Sequence, residues 1–188
     1  MIITGYQGIG KSTLAGKNDK IIDLESGCFW KEDDFIYLDE HHQNYTLGKV
    51  ERTRPKDWYV YYCQMAQHLS RQGYIVFVSC HIEVREYLMR HNEEPFCAIF
   101  PAKHLKDEWI KRLSDRYNCS KSDKDLRALQ HAEKFYDSDI AELWYECQYN
   151  VDYFRNVEII KSIDYDLQSL VDKLVSATNM DRIIPKKL

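Results

Sequence analysis

The chain has 188 residues, the length of one domain with room for an insertion, and it can bury a core without disulfide or metal staples. Hydrophobic residues make up 44% and aromatics 13%, which excludes wholesale disorder. A net charge of −4 argues against a general nucleic-acid coat, and no apolar run approaches the roughly 18 residues of a membrane span.

Residues 1–4 are a short β-branched run, predicted as a strand. Glycines at 5, 8 and 10 follow, then Lys11-Ser12-Thr13-Leu14-Ala15, a glycine turn that opens a helix. Gly16 and Asn18 stop that helix early. Residues 20–24 (KIIDL) are the second predicted strand. Residues 28–56 show no dominant period and are expected to form an excursion beside the acceptor side of a site, with a candidate strand at 35–38.

Pro55 sits where a helix begins, with Trp58, Tyr62, Met65, Ala66 and Leu69 as its inner face and Gly73 as its stop. Residues 74–79 (YIVFVS) form a third strand of the kind buried on both faces of a parallel sheet. A helix is expected over 82–90, then a break at Pro95 and a fourth strand over 96–100 (FCAIF). Leu105, Trp109 and Leu113 stripe the next helix. Ser122 is positioned to cap a long helix running to about Gln148, with Leu126, Leu129, Tyr136, Ile140, Leu143 and Cys147 inward. A fifth strand at 157–160, an amphipathic helix at 167–175 and a fraying basic tail at 178–188 complete the chain. Strand alternates with helix throughout, the pattern of an α/β fold with a parallel sheet.

The amino terminus lacks the pattern of a secretory signal. Six scattered cysteines without a C-x-x-C pair read as free thiols of a reducing compartment, so a cytoplasmic location is expected.

Gly5-Tyr6-Gln7-Gly8-Ile9-Gly10-Lys11-Ser12 fits G-x-x-x-x-G-K-[ST] without a mismatch. A polyphosphate needs several donors converging on a small volume. Glycines let backbone N–H groups turn inward without a Cβ in the way. Gly8, Ile9, Gly10, Lys11, Ser12 and Thr13 are therefore expected to cradle a nucleoside triphosphate. Lys11 would reach its β and γ phosphates, and the Ser12 hydroxyl would sit on Mg²⁺.

Residues 2–176 resemble the small P-loop kinase group, which includes the nucleoside monophosphate kinases, shikimate kinase and gluconate kinase. The resemblance implies a three-layer P-loop NTPase fold within residues 1–177, with a five-stranded parallel sheet in the order 2-3-1-4-5. It also implies a helical lid, at about 112–148. Arg112-Leu113-x-x-Arg116 is similar to the group's R-L-x-x-R motif at the lid, which implies nucleotide binding by Arg112 and catalysis by Arg116. Arg127 lies beyond it, in the lid or as a solvated charge.

Asp23-Leu24-Glu25 ends the second strand where shikimate kinase carries D-x-D. That implies Asp23 as holder of a Mg²⁺-bound water and Glu25 as the group that binds or deprotonates the acceptor. Residues 79–87 are loosely like a gluconate kinase stretch, and Arg85 there would grip an acceptor phosphate or carboxylate by its planar fork. Residues 163–166 and the helix after them resemble the group's closing strand and helix. One departure stands out. Many members end the third strand with an Asp that orients the magnesium waters, and here that strand ends Val78-Ser79-Cys80-His81.

Phe29, with Trp30, Phe35 and Tyr37, offers either a stacking surface for an acceptor base or a small core. Asp39-Glu40-His41-His42 reads as a polar surface loop, because adjacent histidines of an extended chain point apart. Arg52 and Arg54 would meet an anionic acceptor or solvate a loop. No N-K-x-D guanine motif and no LSGGQ signature is present, and the length is short for an AAA+ machine.

The expectation is a Mg²⁺-dependent phosphotransferase that moves the ATP γ-phosphate to a small-molecule acceptor, a nucleotide or nucleoside first. A small polyol, a sugar acid or a polynucleotide 5′-hydroxyl are the other acceptors. Neither a membrane nor nucleic acid in general is an expected partner, and the oligomeric state is left open. The rival class is a nucleotide-binding module or sensor without catalysis, which the departure after the third strand favours.

Overall fold

The β-branched and aromatic runs become five parallel strands. A computed structural model describes residues 1–26, 31–32, 52–53, 57–91, 96–150 and 152–183. In chain order the elements are β1 (Ile2–Gly5), α1 (Lys11–Ala15), β2 (Ile21–Asp23), β3 (Lys31–Glu32), β4 (Arg52–Thr53), α2 (Trp58–Arg71) and β5 (Ile75–Val78). They continue with α3 (Ile82–His91), β6 (Phe96–Pro101), α4 (Lys106–Ser120), α5 (Asp123–Tyr149), β7 (Phe154–Ile160) and α6 (Leu167–Ile183).

The main sheet runs β2-β5-β1-β6-β7, which is 2-3-1-4-5 when its strands are counted along the chain. Every pairing in it is parallel, with Ile3 opposite Phe77 on one side and Cys97 on the other. Helices cover both sides of the sheet, as an all-parallel sheet requires. That is why β6 is buried along its whole length, while the edge strand β7 is half-buried through its middle. β3 and β4 form a separate two-stranded antiparallel ribbon. Among the described residues no helix is long and apolar enough to cross a membrane.

The strand order puts β1 in the middle, so Gly5 emerges between the carboxyl ends of β5 and β6. The Tyr62 hydroxyl fixes the neighbouring ends. It donates to the Leu24 carbonyl at 2.7 Å and accepts from the Ser79 N–H at 2.9 Å, tying the exits of β2 and β5 together.

The hairpin of α4 and α5 is the largest helical unit. Ser122 caps α5 as expected, its hydroxyl accepting from the Asp125 N–H at 3.2 Å. Leu129, Ala132, Tyr136, Ile140 and Leu143 then line the buried face at helical spacing. The Tyr136 hydroxyl donates to the Ala102 carbonyl at 2.9 Å, holding the helix to the end of β6.

Several expectations need correction. β7 begins three residues earlier than predicted, and residues 163–166 form no strand. Met65 is 47% exposed, because Trp58, Tyr62, Cys63 and Ala66 take the inner face of α2. The last helix passes the expected boundary at 177, with Thr178 buried, so the tail does not begin there.

Arg85 is the main correction. Its side chain is buried in α3, and its guanidinium bonds Glu146 of α5 at 2.6 and 3.0 Å, with Glu142 and the Cys80 carbonyl as further partners. Burial works against its charge, but the Glu146 carboxylate outweighs that and the pKa is raised. The fork is therefore spent on joining α3 to α5 and is not free to grip an acceptor. Arg85→Ala should leave Glu146 buried without its cation and cost about 3–5 kcal/mol in urea unfolding. A loss of about 1 kcal/mol or less, the value of an exposed pair, would contradict that role.

Candidate functional site

The glycine loop between β1 and α1 is held in an unusual backbone shape. Gly8 and Gly10 have φ of 84° and 95°, the left-handed region that side chains disfavour. A Cβ on Gly5 would fall 2.8 Å from Ile9 Cδ1 and 2.9 Å from Lys11 Cδ.

Six successive carbonyls of this loop are engaged. The Lys11 ammonium donates to Gly5 O at 2.8 Å and Tyr6 O at 3.0 Å. Trp109 Nε1 donates to Gln7 O at 3.0 Å, Arg112 Nε to Gly8 O at 3.1 Å, and the Tyr165 hydroxyl to Ile9 O at 2.9 Å. The Leu14 N–H takes Gly10 O at 3.0 Å. Among the described residues, no acceptor meets the backbone N–H groups of residues 8–13. The Gln7 side-chain nitrogen is also buried without a partner. A backbone with its oxygens spoken for and its N–H groups free is a ready acceptor of anions.

These groups face a cavity of about 790 Å³. Its charged lining is Lys11, Arg112, Arg116, Lys124 and Arg127 against Asp23, Glu25 and Asp125, five cations to three carboxylates. Burial lowers the Lys11 pKa, opposed by the Asp23 carboxylate. Arg112 lies over the rings of Trp109 and Tyr165, at 5.6 and 5.3 Å from their centres. Burial pushes the Tyr165 hydroxyl up to about 12, so it stays a donor to the loop.

The carboxylates are matched within the cavity. Ser12 Oγ donates to Asp23 Oδ2 at 2.5 Å, Lys124 pairs with Glu25 at 2.6 Å, and Arg116 pairs with Asp125 at 2.7 Å. The Ser12 hydroxyl and Asp23 carboxylate are hard oxygen donors side by side, a set that suits Mg²⁺ with phosphate and water oxygens completing the shell. Among the described residues, no group of three or more His, Cys, Asp or Glu side chains would hold a metal alone.

Of the sequence-predicted residues, Gly8, Gly10, Lys11, Ser12, Thr13, Asp23, Glu25, Arg112, Arg116 and Arg127 all line this one cavity. Ile9 is buried beneath the loop. β2 ends at Asp23, and Glu25 lines the same cavity from the segment that follows the strand. Arg85 is excluded by its ion pairs. Phe29, Trp30, Phe35, Tyr37, residues 39–42 and Arg54 lie outside the described residues.

Sequence reasoning missed the side chains that hold the loop, Trp109 and Tyr165, and it missed Lys124. It also missed a network on α5. Asp139 Oδ2 accepts from the Tyr6 hydroxyl at 3.1 Å and lies 2.9 Å from His131 Nε2. The interval of eight residues, two turns of one helix face, was the available signal. This network borders a second cavity of about 340 Å³ on the β5–α5 side of Lys11.

No protein-family model matches the chain, and no curated protein matches it in sequence.

Gly8→Ala should cost about 1–2 kcal/mol of stability from its left-handed φ alone. Its Cβ would also fall 2.9 Å from Leu113 Cδ2, crowding α4 against the loop. Urea unfolding of the two proteins tests this, and equal midpoints would show that the loop relaxes freely.

Proposed function

We infer that the protein is a Mg²⁺-dependent P-loop phosphotransferase with ATP as donor and a small-molecule acceptor, a nucleoside or nucleotide in the first instance. The observation that carries this reading is the loop. Six engaged carbonyls leave the N–H groups of residues 8–13 to one side, beside Lys11 and a cavity with an excess of arginine and lysine. A chain of phosphate oxygens is the ligand chemistry that such a surface binds most strongly.

The roles follow from position. Lys11 leaves its loop carbonyls to take β and γ phosphate oxygens. Ser12 and Asp23 would hold Mg²⁺, which when bound supplies charge neutralisation on the phosphates. Arg112, already fixed over two rings, lines the nucleotide side of the cavity. Arg116 exchanges Asp125 for the transferring phosphate, where charge spreads over the equatorial oxygens. Glu25, released from Lys124, orients the incoming acceptor.

The second reading is a nucleotide-binding sensor. It is favoured by the end of β5, where Ser79, Cys80 and His81 stand and no carboxylate does. Steady-state transfer from ATP to a panel of acceptors separates the two. A phosphotransferase moves phosphate to one acceptor much faster than to water, and a sensor binds nucleotide with negligible turnover.

Lys11→Ala should weaken binding of a non-hydrolysable ATP analogue by about 10- to 100-fold, the value of one bond between charged groups. Unchanged affinity in calorimetry would remove Lys11 from the site. Glu25→Gln should lower the transfer rate more than nucleotide affinity; an equal fall in both would make Glu25 a structural partner of Lys124 only.

A further inference from the structure

The phosphotransferase reading has Glu25, in the larger cavity, orient the entering hydroxyl and leaves open which cavity holds the body of the acceptor. We propose that the 340 Å³ cavity is the acceptor site, that its occupant is a neutral hydroxyl compound, and that His131, held by Asp139, is the base that takes the acceptor's proton. The proposal rests on that reading and narrows its acceptor from nucleosides and nucleotides to neutral hydroxyl compounds.

Transfer must occur where donor and acceptor sites meet. The two cavities share five lining residues, Gln7, Lys11, Ser79, His81 and His131. Lys11 is the one cation among them, and it stands where the transferring phosphate would be held. Among the described residues, His131 is bonded to a carboxylate at this border. A carboxylate oxygen accepts, so His131 donates Nε2–H to Asp139, and the lone pair of the neutral ring is then the one on Nδ1. The Tyr6 hydroxyl, kept protonated by burial, donates to the same Asp139 oxygen and fixes its orientation. His81 is engaged differently, with its Nδ1 at 2.8 Å from the Ser79 hydroxyl.

The lining also selects the acceptor. Among the described residues Arg85 is the only guanidinium of this cavity, and Glu146 and Glu142 neutralise it. Glu83, Glu142 and Asp139 supply carboxylates to the same walls. Away from Lys11, which the transferring phosphate takes, a phosphate or carboxylate on the acceptor would meet Glu83 and Asp139 and a guanidinium already paired. Hydroxyl groups would find acceptors for their protons. The volume suits a compound near the small end of the ligand range, on the scale of a pentose or a polyol.

The step balances without a further reagent. A lone pair of the acceptor hydroxyl oxygen forms the new bond to the γ-phosphorus. The bond from that phosphorus to the β–γ bridging oxygen breaks, and ADP leaves with the electron pair. The hydroxyl proton passes to His131 Nδ1, and Asp139 stabilises the imidazolium.

Water is itself a neutral hydroxyl acceptor, so the test needs no knowledge of the natural one. Phosphate release from labelled MgATP is measured in water alone and with ribose, glycerol, cytidine or CMP added. Wild type is compared with His131→Ala, His131→Ala plus free imidazole, and Asp139→Asn. Affinity for an ATP analogue and melting temperature are followed in parallel. His131→Ala should cut kcat for water and for the neutral acceptors by about 100-fold or more. Nucleotide affinity should stay unchanged, and imidazole should restore part of the rate. Asp139→Asn, a change at a positioning residue, should lower kcat with unchanged nucleotide affinity. Preference among ribose, glycerol and cytidine identifies the source of the hydroxyl.

An unchanged rate in His131→Ala, a lost rate that imidazole does not restore, or faster transfer to CMP than to every neutral compound each overturns the proposal. So does a wild-type protein that binds ATP and transfers to nothing. A wild-type protein that fails to bind ATP overturns the phosphate-loop reading instead.

Discussion

The orientation of six peptide units governs everything around them. From Gly5 to Gly10 each carbonyl is pulled by a donor, and three of those donors come from α4 or from the loop before α6. A peptide plane is rigid, so engaging its oxygen also fixes where its N–H points. The loop is thus preorganised from outside. Its exposed N–H groups need not be gathered at the moment an anion arrives, which lowers the entropic cost of binding. The same bonds make α4 part of the loop's support, with Trp109 and Leu113 both fully buried against the fold.

Charge in the larger cavity is balanced by pairs that are easy to break. Lys124 with Glu25 and Arg116 with Asp125 are partly exposed, and such pairs contribute about 0–1 kcal/mol. A polyanion that brought several charges at once would outcompete them. The buried Arg85 pair is of the other kind, because parting it would strand a carboxylate in the interior. α5 therefore has a firmly held carboxyl-terminal half at Glu146 and exchangeable contacts at Lys124 and Asp125. His131 and Asp139 lie between these two regimes. That is where a helix can present side chains to both cavities while its backbone remains anchored.

The order of strands was legible only through a resemblance, whereas the strands themselves were legible from residue type. IITG, IVFV and FCAIFP are apolar on both faces, and only the middle of a parallel sheet buries both faces. β7 was harder. Its interior is half-buried, so FRNVEII carries no clean apolar run and only its second half stood out. Met65 was misplaced for a related reason, since helical spacing names two adjacent faces and packing chooses between them. Arg85 was misread because a sequence shows a guanidinium but not the two glutamates that reach it from about 60 positions away.

By itself the sequence determined which local conformations the loop can adopt. Glycines at 8 and 10 permit positive φ, and the lysine and serine that follow are covalently tied to that turn. It also determined which segments are strand and which helix, since periodicity is a local property of the chain. The tertiary structure decided what each charge faces. Trp109 and Tyr165 meet the loop, Lys124 meets Glu25, and His131 meets Asp139 on the border of two cavities. Except for the last, these are contacts between residues far apart in the chain, set by how helices pack on a sheet, and no spacing rule encodes them.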